Sequence, residues 1–371
     1  MDCSMKNKPF CVVPFAEAFS GYHSLFRNCC ATDPQIYSLP SQSFADWQKD
    51  PRLIAFRESM NTGQWSSDCQ NCRIQEEQSG SSFRTAVNDA TKIDENFGVW
   101  PSRWNLIFGN VCNLGCWICD EYSSSVIAQH KKTINILPLG FVDPNETFRL
   151  RWQTLQQDVL KSYDYHDIVT LTLLGGEPLY NKTVANFLTQ LKDLNLASRT
   201  RLEFHTNGTK INETLFDDAW NYICIFLSLD AVGKKAEWLR YGCDWDTIET
   251  NIEIFKSISD YTEVHCTLGI LNINDLPELK KFCEAQELLL KITTLTDPEF
   301  MSIFQWSGDK NQITDRDYLA QSGFEYYYDL IGTQSNPDSV RDLEKYISQF
   351  DPIRKSLADY DSRLYHAIKN H

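Results

Sequence analysis

No stretch of this sequence approaches the roughly 20 consecutive apolar residues that a membrane-spanning helix requires, so no membrane partner is expected. Residues 1–10 also lack the apolar core of a secretory signal. Basic residues are the minority, with 35 Lys and Arg against 50 Asp and Glu and a net charge of −15. That balance excludes a broad nucleic-acid or anionic-lipid surface, which needs clustered positive charge. A cytoplasmic protein is the expectation, and Asn-x-Ser/Thr sequons beginning at Asn145, Asn181, Asn207 and Asn212 then read as chance. No small winged-helix pattern precedes Cys11. What the chain does have is length, an apolar fraction and cysteine. At 371 residues and 42% hydrophobic, it can bury a large core in a main domain and still carry a smaller one.

Thirteen cysteines are many for a reducing compartment. Without export, metal or cluster binding is preferred to disulfides. Cys112, Cys116 and Cys119 form a Cys-x3-Cys-x2-Cys loop directly after an apolar, strand-like run. Three thiolates leave one position open on a tetrahedral metal or a cubane cluster. A zinc knuckle with a distant fourth ligand fits the same spacing. A second signal follows at 168–178, where a β-rich run ends in Gly175-Gly176-Glu177-Pro178. Two glycines at a strand end let backbone approach a ligand closely, Glu177 adds an acceptor, and Pro178 stops the ladder. An ordinary strand-to-helix turn would use the same residues. Cys11, Cys29 or Cys30, Cys69 and Cys72 make a further set of four, enough to close an iron–sulfur or a zinc site.

The two central motifs, one βα unit apart and each at a strand end, resemble those of the radical S-adenosylmethionine (SAM) enzymes. The amino-terminal cysteines resemble a twitch or SPASM auxiliary cluster region, here in front of the core, as in twitch-domain radical proteins common in phages. That resemblance implies a 4Fe–4S cluster on Cys112, Cys116 and Cys119 that binds SAM. It also implies a second, auxiliary 4Fe–4S cluster on Cys11, Cys29, Cys69 and Cys72, with Cys29 favoured over Cys30. Gly175, Gly176, Glu177 and Pro178 would then contact SAM, with Glu177 accepting from its amino group. Thr206, Asn207, Ser228, Asp230 and Asn272 follow later strands at positions where relatives approach the cofactor. Arg240 falls where many members pair an Arg with the methionine carboxylate, and Cys243 is a candidate hydrogen donor.

Strand-like runs at 105–109, 168–174, 201–205, 223–228, 264–270 and 288–292 alternate with helical periodicity at 122–132, 148–163, 182–194, 213–220, 246–257 and 276–285. Such alternation predicts parallel βαβ units. The expected fold class is α/β. In family terms this is a partial (β/α)6 barrel with an amino-terminal cysteine-rich region and a carboxyl-terminal helical segment. The expected boundaries are 1–80 for the auxiliary region, 81–103 for a linker, 104–295 for the barrel and 296–371 for the helical extension. The resemblance implies an enzyme that cleaves SAM reductively and abstracts hydrogen from a peptide or protein residue. A sugar, a nucleoside or another small molecule is the alternative substrate, and a non-catalytic Zn or Fe–S scaffold the alternative class. Flavodoxin or ferredoxin would serve as electron donor.

Overall fold

The computed structural model describes residues 10–21, 26–30, 38, 42–80, 82–91, 97–350 and 352–370. Its strands are β1 (Glu17–Phe19), β2 (Arg103–Ile107), β3 (Gly115–Cys116), β4 (Val169–Leu174), β5 (Thr200–Thr206), β6 (Tyr222–Ser228), β7 (Arg240–Tyr241), β8 (Tyr261–Leu268) and β9 (Leu289–Thr294). Seven of them form one parallel sheet in the order β1-β2-β4-β5-β6-β8-β9. The remaining two, β3 and β7, make a short antiparallel ladder that pairs Cys116 with Arg240. The six expected strands are all present, displaced by no more than a few residues.

Period-2 alternation divides the sheet into two faces. Trp104, Leu106, Leu171, Leu173, Leu202, Phe204, Ile225, Leu227, Val264 and Leu268 are buried in the main core. They pack with Val159, Phe187, Leu191, Ile252, Phe255 and Leu279 from the connecting helices. The other face carries Asn105, Thr172, Glu203, His205, Phe226, Glu263 and His265. The helices begin where side chains can satisfy their first N–H groups. Asp143 caps Pro144–Lys161, Asn181 caps Lys182–Asp193 and Asp244 caps Trp245–Ile258.

Three expectations change. The run at 213–220 forms only a 3-10 turn, Glu213–Leu215. Phe216 packs edge-on against Phe204, Trp220 is buried with its indole N–H donating to the Leu215 carbonyl, and the chain then enters β6. The helix expected over 148–163 starts earlier, because Pro144 at the first helical position begins it. The stretch read as linker holds the helix Phe83–Ala90, closed by a Ser82–Thr85 capping box. Arg84 and Asn88 on that helix both donate to the Phe10 carbonyl.

The amino-terminal region shares the main core. Phe26 and Phe44 are fully buried and stack edge-on against each other, and both contact Trp104 of β2. Burying two such rings is worth about 3–6 kcal/mol, and β1 extends the sheet beside β2. Cys11, Val12, Val13, Phe19, Cys29, Phe56 and Met60 form a second, smaller core with Cys69 packed against it. After β9 the chain is helical, ending in Ser339–Phe350, Leu357–Tyr360 and Ser362–Lys369. Among the described residues no helix is long and apolar enough to cross a membrane.

Candidate active site

The cysteine loop leaves the carboxyl end of β2 and is held on three sides. Below it, Gly175 and Gly176 adopt φ of +88° and +55°. A Cβ on Gly176 would lie 2.2 Å from the Val111 carbonyl oxygen, and one on Gly175 2.7 Å from that of Gly109. The close approach these glycines permit in the structure is to the protein's own loop. The Glu177 N–H donates to the Val111 carbonyl across the same contact, at 2.8 Å. Pro178 begins a 3-10 turn whose first N–H groups Glu177 caps.

Glu177 is 1% exposed and is already engaged by protein donors. Its Oε1 accepts from the Thr206 hydroxyl (2.8 Å) and the Leu179 N–H (3.0 Å), and its Oε2 from the Asn207 N–H (2.7 Å). Burial pushes this carboxyl up to about 7, against those donors and Arg240, which favour its charge. Asn207 in turn donates to Asn113 Oδ1 at 3.0 Å and accepts from the Thr209 N–H and hydroxyl. Asn113 closes the circuit by donating to Thr209 Oγ1. The ends of β4 and β5 are thus stitched to the cysteine loop. Asn113 and Thr209 were not legible as site residues, since polar turn residues carry no distinguishing pattern.

Above the loop, Ser124 caps the helix Ser125–Thr133 and its hydroxyl donates to the Leu114 carbonyl at 2.6 Å. Ser125 Oγ accepts from the Cys112 N–H and donates to the Cys112 carbonyl, both at 3.1 Å. Asn110 is clasped by Asn145 and by the Glu121 carbonyl.

On the third side lies the β3–β7 ladder. Arg240 is buried and pairs with Asp230 at 2.7 Å, while its Nη1 lies 4.0 Å from Cys116 Sγ. Burial opposes its charge, but Asp230 and the thiols of Cys116 and Cys119 more than offset this and raise its pKa. The guanidinium thus has a protein carboxylate as its partner, where a cofactor carboxylate was expected. Asp230 also accepts the Thr267 N–H at 2.9 Å. Asn272 is consumed by the loop after β8, donating to the Asp230 and Thr267 carbonyls and accepting the Gly269 N–H. This fixes the loop. Ser228 ends β6 half-buried. Cys243 is half-buried just past β7, and burial pushes its thiol up to about 12.

The three thiols interact with one another. The Cys119 thiol donates to Cys116, and this, with Arg240 behind it, brings Cys116 down to about 7 despite burial. The same bond and burial hold Cys119 well above the usual thiol range. Burial pushes Cys112 up to about 12, although the Leu114 N–H points at its sulfur from 3.4 Å. Among the described residues no group of three or more His, Cys, Asp or Glu side chains has the arrangement to hold a metal ion. The donor chemistry nonetheless fits an iron–sulfur cluster: three adjacent thiols, an N–H donor to sulfur and buried cationic charge beside them.

A second thiol group lies in the amino-terminal core. Cys29, Cys69 and Cys72 all act electrostatically on Cys11. Cys72 takes hydrogen bonds from the Arg84 N–H and the Ser82 hydroxyl, and Cys11 from the Val13 N–H. Burial pushes Cys69 up to about 12. Cys29 is buried among this group, whereas Cys30 is exposed and interacts with Cys29, Arg27 and Glu17.

The cysteine loop and the Gly-Gly-Glu-Pro turn thus lie together at the carboxyl ends of a parallel α/β sheet, the edge at which such sheets bind ligands. Residues 106–283, just under half of the chain, match the model of the Radical SAM superfamily. Among solved structures it is similar to native anSMEcpe with bound AdoMet, at 16% identity and a TM-score of 0.41 over 67% of this chain and 62% of that one. It is also similar to Streptococcus suis SuiB bound to precursor peptide SuiA, at 16% identity and a TM-score of 0.39 over 78% of this chain and 59% of that one. The chain thus spans less than two thirds of either relative. No curated protein sequence matches it.

Proposed function

We propose that the chain is a radical SAM enzyme in which Cys112, Cys116 and Cys119 hold a SAM-binding 4Fe–4S cluster, and that it modifies a peptide or protein residue. When bound, the cluster and SAM supply a one-electron reductive cleavage and a 5′-deoxyadenosyl radical that abstracts hydrogen from substrate. The protein's part is positional. Glu177, Thr206, Asn207 and Asn113 lock the cysteine loop to two strand ends, and the Arg240–Asp230 pair sets a fixed charge beside Cys116. The observation that carries this reading is the convergence of four segments on one loop: the Gly175–Gly176 contact, the Asn207–Asn113 bond, the Ser124–Ser125 clasp and the Cys116–Arg240 ladder.

Cys11, Cys29, Cys69 and Cys72 are assigned to an auxiliary 4Fe–4S cluster. Backbone and hydroxyl donors to two of these sulfurs, and a shared apolar surround, support that assignment. A cytoplasmic flavodoxin or ferredoxin would deliver the electron. The peptide reading draws support from the polar sheet face, where Glu263, His265 and Phe226 are half-buried beside the exposed strand β9. Such a surface suits an extended, polar chain. The test is anaerobic reconstitution followed by assay for 5′-deoxyadenosine with dithionite, comparing wild type with Cys116→Ala. Product from wild type and none from the variant is expected. Equal product from both would refute the assignment.

A further inference from the structure

Arg354 lies between the helices Ser339–Phe350 and Leu357–Tyr360, far in sequence from every motif above. Its side chain is 7% exposed, and Nε, Nη1 and Nη2 all lack a hydrogen-bond partner. The guanidinium stacks over the Trp117 ring at 4.1 Å and the Phe350 ring at 4.6 Å, with Tyr241 at 5.5 Å. It abuts β3, because a Cβ on Gly115 would come within 3.3 Å of Nη2. Trp117 lies between Cys116 and Cys119, and Tyr241 follows Arg240. The cation is therefore held by the two-stranded ladder that carries Cys116.

A buried guanidinium without a counter-ion is costly, and cation–π contacts offset only part of that cost. The other buried guanidinium at this loop, Arg240, is neutralised by Asp230. Arg354 has no carboxylate in ion-pair range among the described residues. Burial lowers its pKa to about 10, and the groups opposing that are Tyr346, Cys116, Tyr241 and Cys119, all phenols or thiols. Glu121, just past the loop, is already paired with Lys131. His130, packed against Tyr241 and Phe350, shares the pocket, and burial and then Arg354 lower its pKa. The anionic charge available to Arg354 is that of the cysteine loop.

We infer that Arg354, brought in by the carboxyl-terminal segment, is the charge partner of the Cys116 and Cys119 thiolates. In that position it raises the reduction potential of the group they hold, because a buried positive charge favours the state carrying one more electron. This rests on the reading of these cysteines as cluster ligands. It makes Arg354 a positioning residue, one that acts on the reaction through the thiolates.

The test is a redox titration followed by electron paramagnetic resonance, in a full-length Cys69→Ala, Cys72→Ala background so that one cluster titrates. At a fixed potential, Arg354→Met should lower the reduced-to-oxidised ratio about tenfold, equivalent to about 59 mV for a one-electron couple. Arg354→Lys, which keeps a charge but not the planar stack, should recover most of the shift. An Arg354→Met protein that holds iron and titrates with its parent overturns the inference. If Arg354→Met loses its iron, Arg354→Lys decides: iron retained at the parental potential supports the charge role, and iron lost again overturns it in favour of packing alone. A parent that binds no cluster through the triad refutes the functional reading itself, which is a separate outcome.

Discussion

The Arg240–Asp230 pair offers the sharpest division between a residue that binds cofactor and one that builds the site. Both side chains are nearly sealed, with 8% and 5% of their surface exposed, and their closest atoms are 2.7 Å apart. Two unit charges about 4 Å apart attract by about 4 kcal/mol at an effective dielectric of about 20. Removing one partner loses that attraction and leaves the other charge buried, a change that typically costs 3–5 kcal/mol. Arg240→Met keeps volume and strands Asp230; Asp230→Leu strands Arg240. Each single variant should lose about 3–5 kcal/mol in urea unfolding followed by circular dichroism. The double variant removes both charges and should recover part of the loss. Recovery stays incomplete because the Thr267 N–H, which donates to Asp230 at 2.9 Å, is left unsatisfied at about 1–3 kcal/mol. A double-mutant cycle should therefore return a coupling of a few kcal/mol. If Arg240→Met unfolds with wild type while SAM affinity falls, the guanidinium serves the cofactor and the structural reasoning is wrong.

Further outcomes follow from other parts of the molecule. Gly176→Ala places a Cβ 2.2 Å from the Val111 oxygen at a φ of +55°, so reconstituted protein should hold less iron in the triad than wild type; unchanged iron would refute the clamp. Wild type should bind about eight irons if two four-iron clusters form, and the Cys69→Ala, Cys72→Ala pair about half of them, as measured by iron analysis. Stoichiometric zinc in the amino-terminal site would identify a structural knuckle instead. His205 is held down to about 4 by burial, with His265 adding to the effect. The unfolded chain then takes up the proton first, so the neutral imidazole's contribution is complete above about 6.5 and is lost as pH falls toward 4. The loss is up to about 3 kcal/mol, and His205→Phe should flatten that part of the stability–pH curve.

Much of the framework could be read from the chain alone, because it rests on local or periodic signals. Alternation of β-branched runs with 3.6-period helices is written into each segment, so the six strands of the parallel core were legible. The two central motifs were visible because cysteine spacing and Gly-Gly-Glu-Pro are unusual strings. The edge strand β1 was not legible, since Glu17–Phe19 is three residues long and is a strand only because β2 lies beside it. The short run at 213–220 had helical spacing, but only Glu213–Leu215 is helical, as a 3-10 turn.

Side-chain partners were decided by tertiary structure. Sequence marked Glu177, Arg240 and Asn272 as cofactor contacts because of where they fall along the chain. What it could not show is the protein partner each one has: Thr206 and Asn207 for Glu177, Asp230 for Arg240, and the loop after β8 for Asn272. In the interior a polar group must find a partner, and which one it finds depends on segments 30 to 40 residues away meeting in space. Arg354 is the extreme case. It carries no motif, and only the packing of the carboxyl-terminal segment onto Trp117 sets its charge beside the cysteine loop. Sequence by itself determined which residue types are present and where the strands end; the fold decided which of those groups face one another, because burial leaves a charge only the partners that packing brings to it.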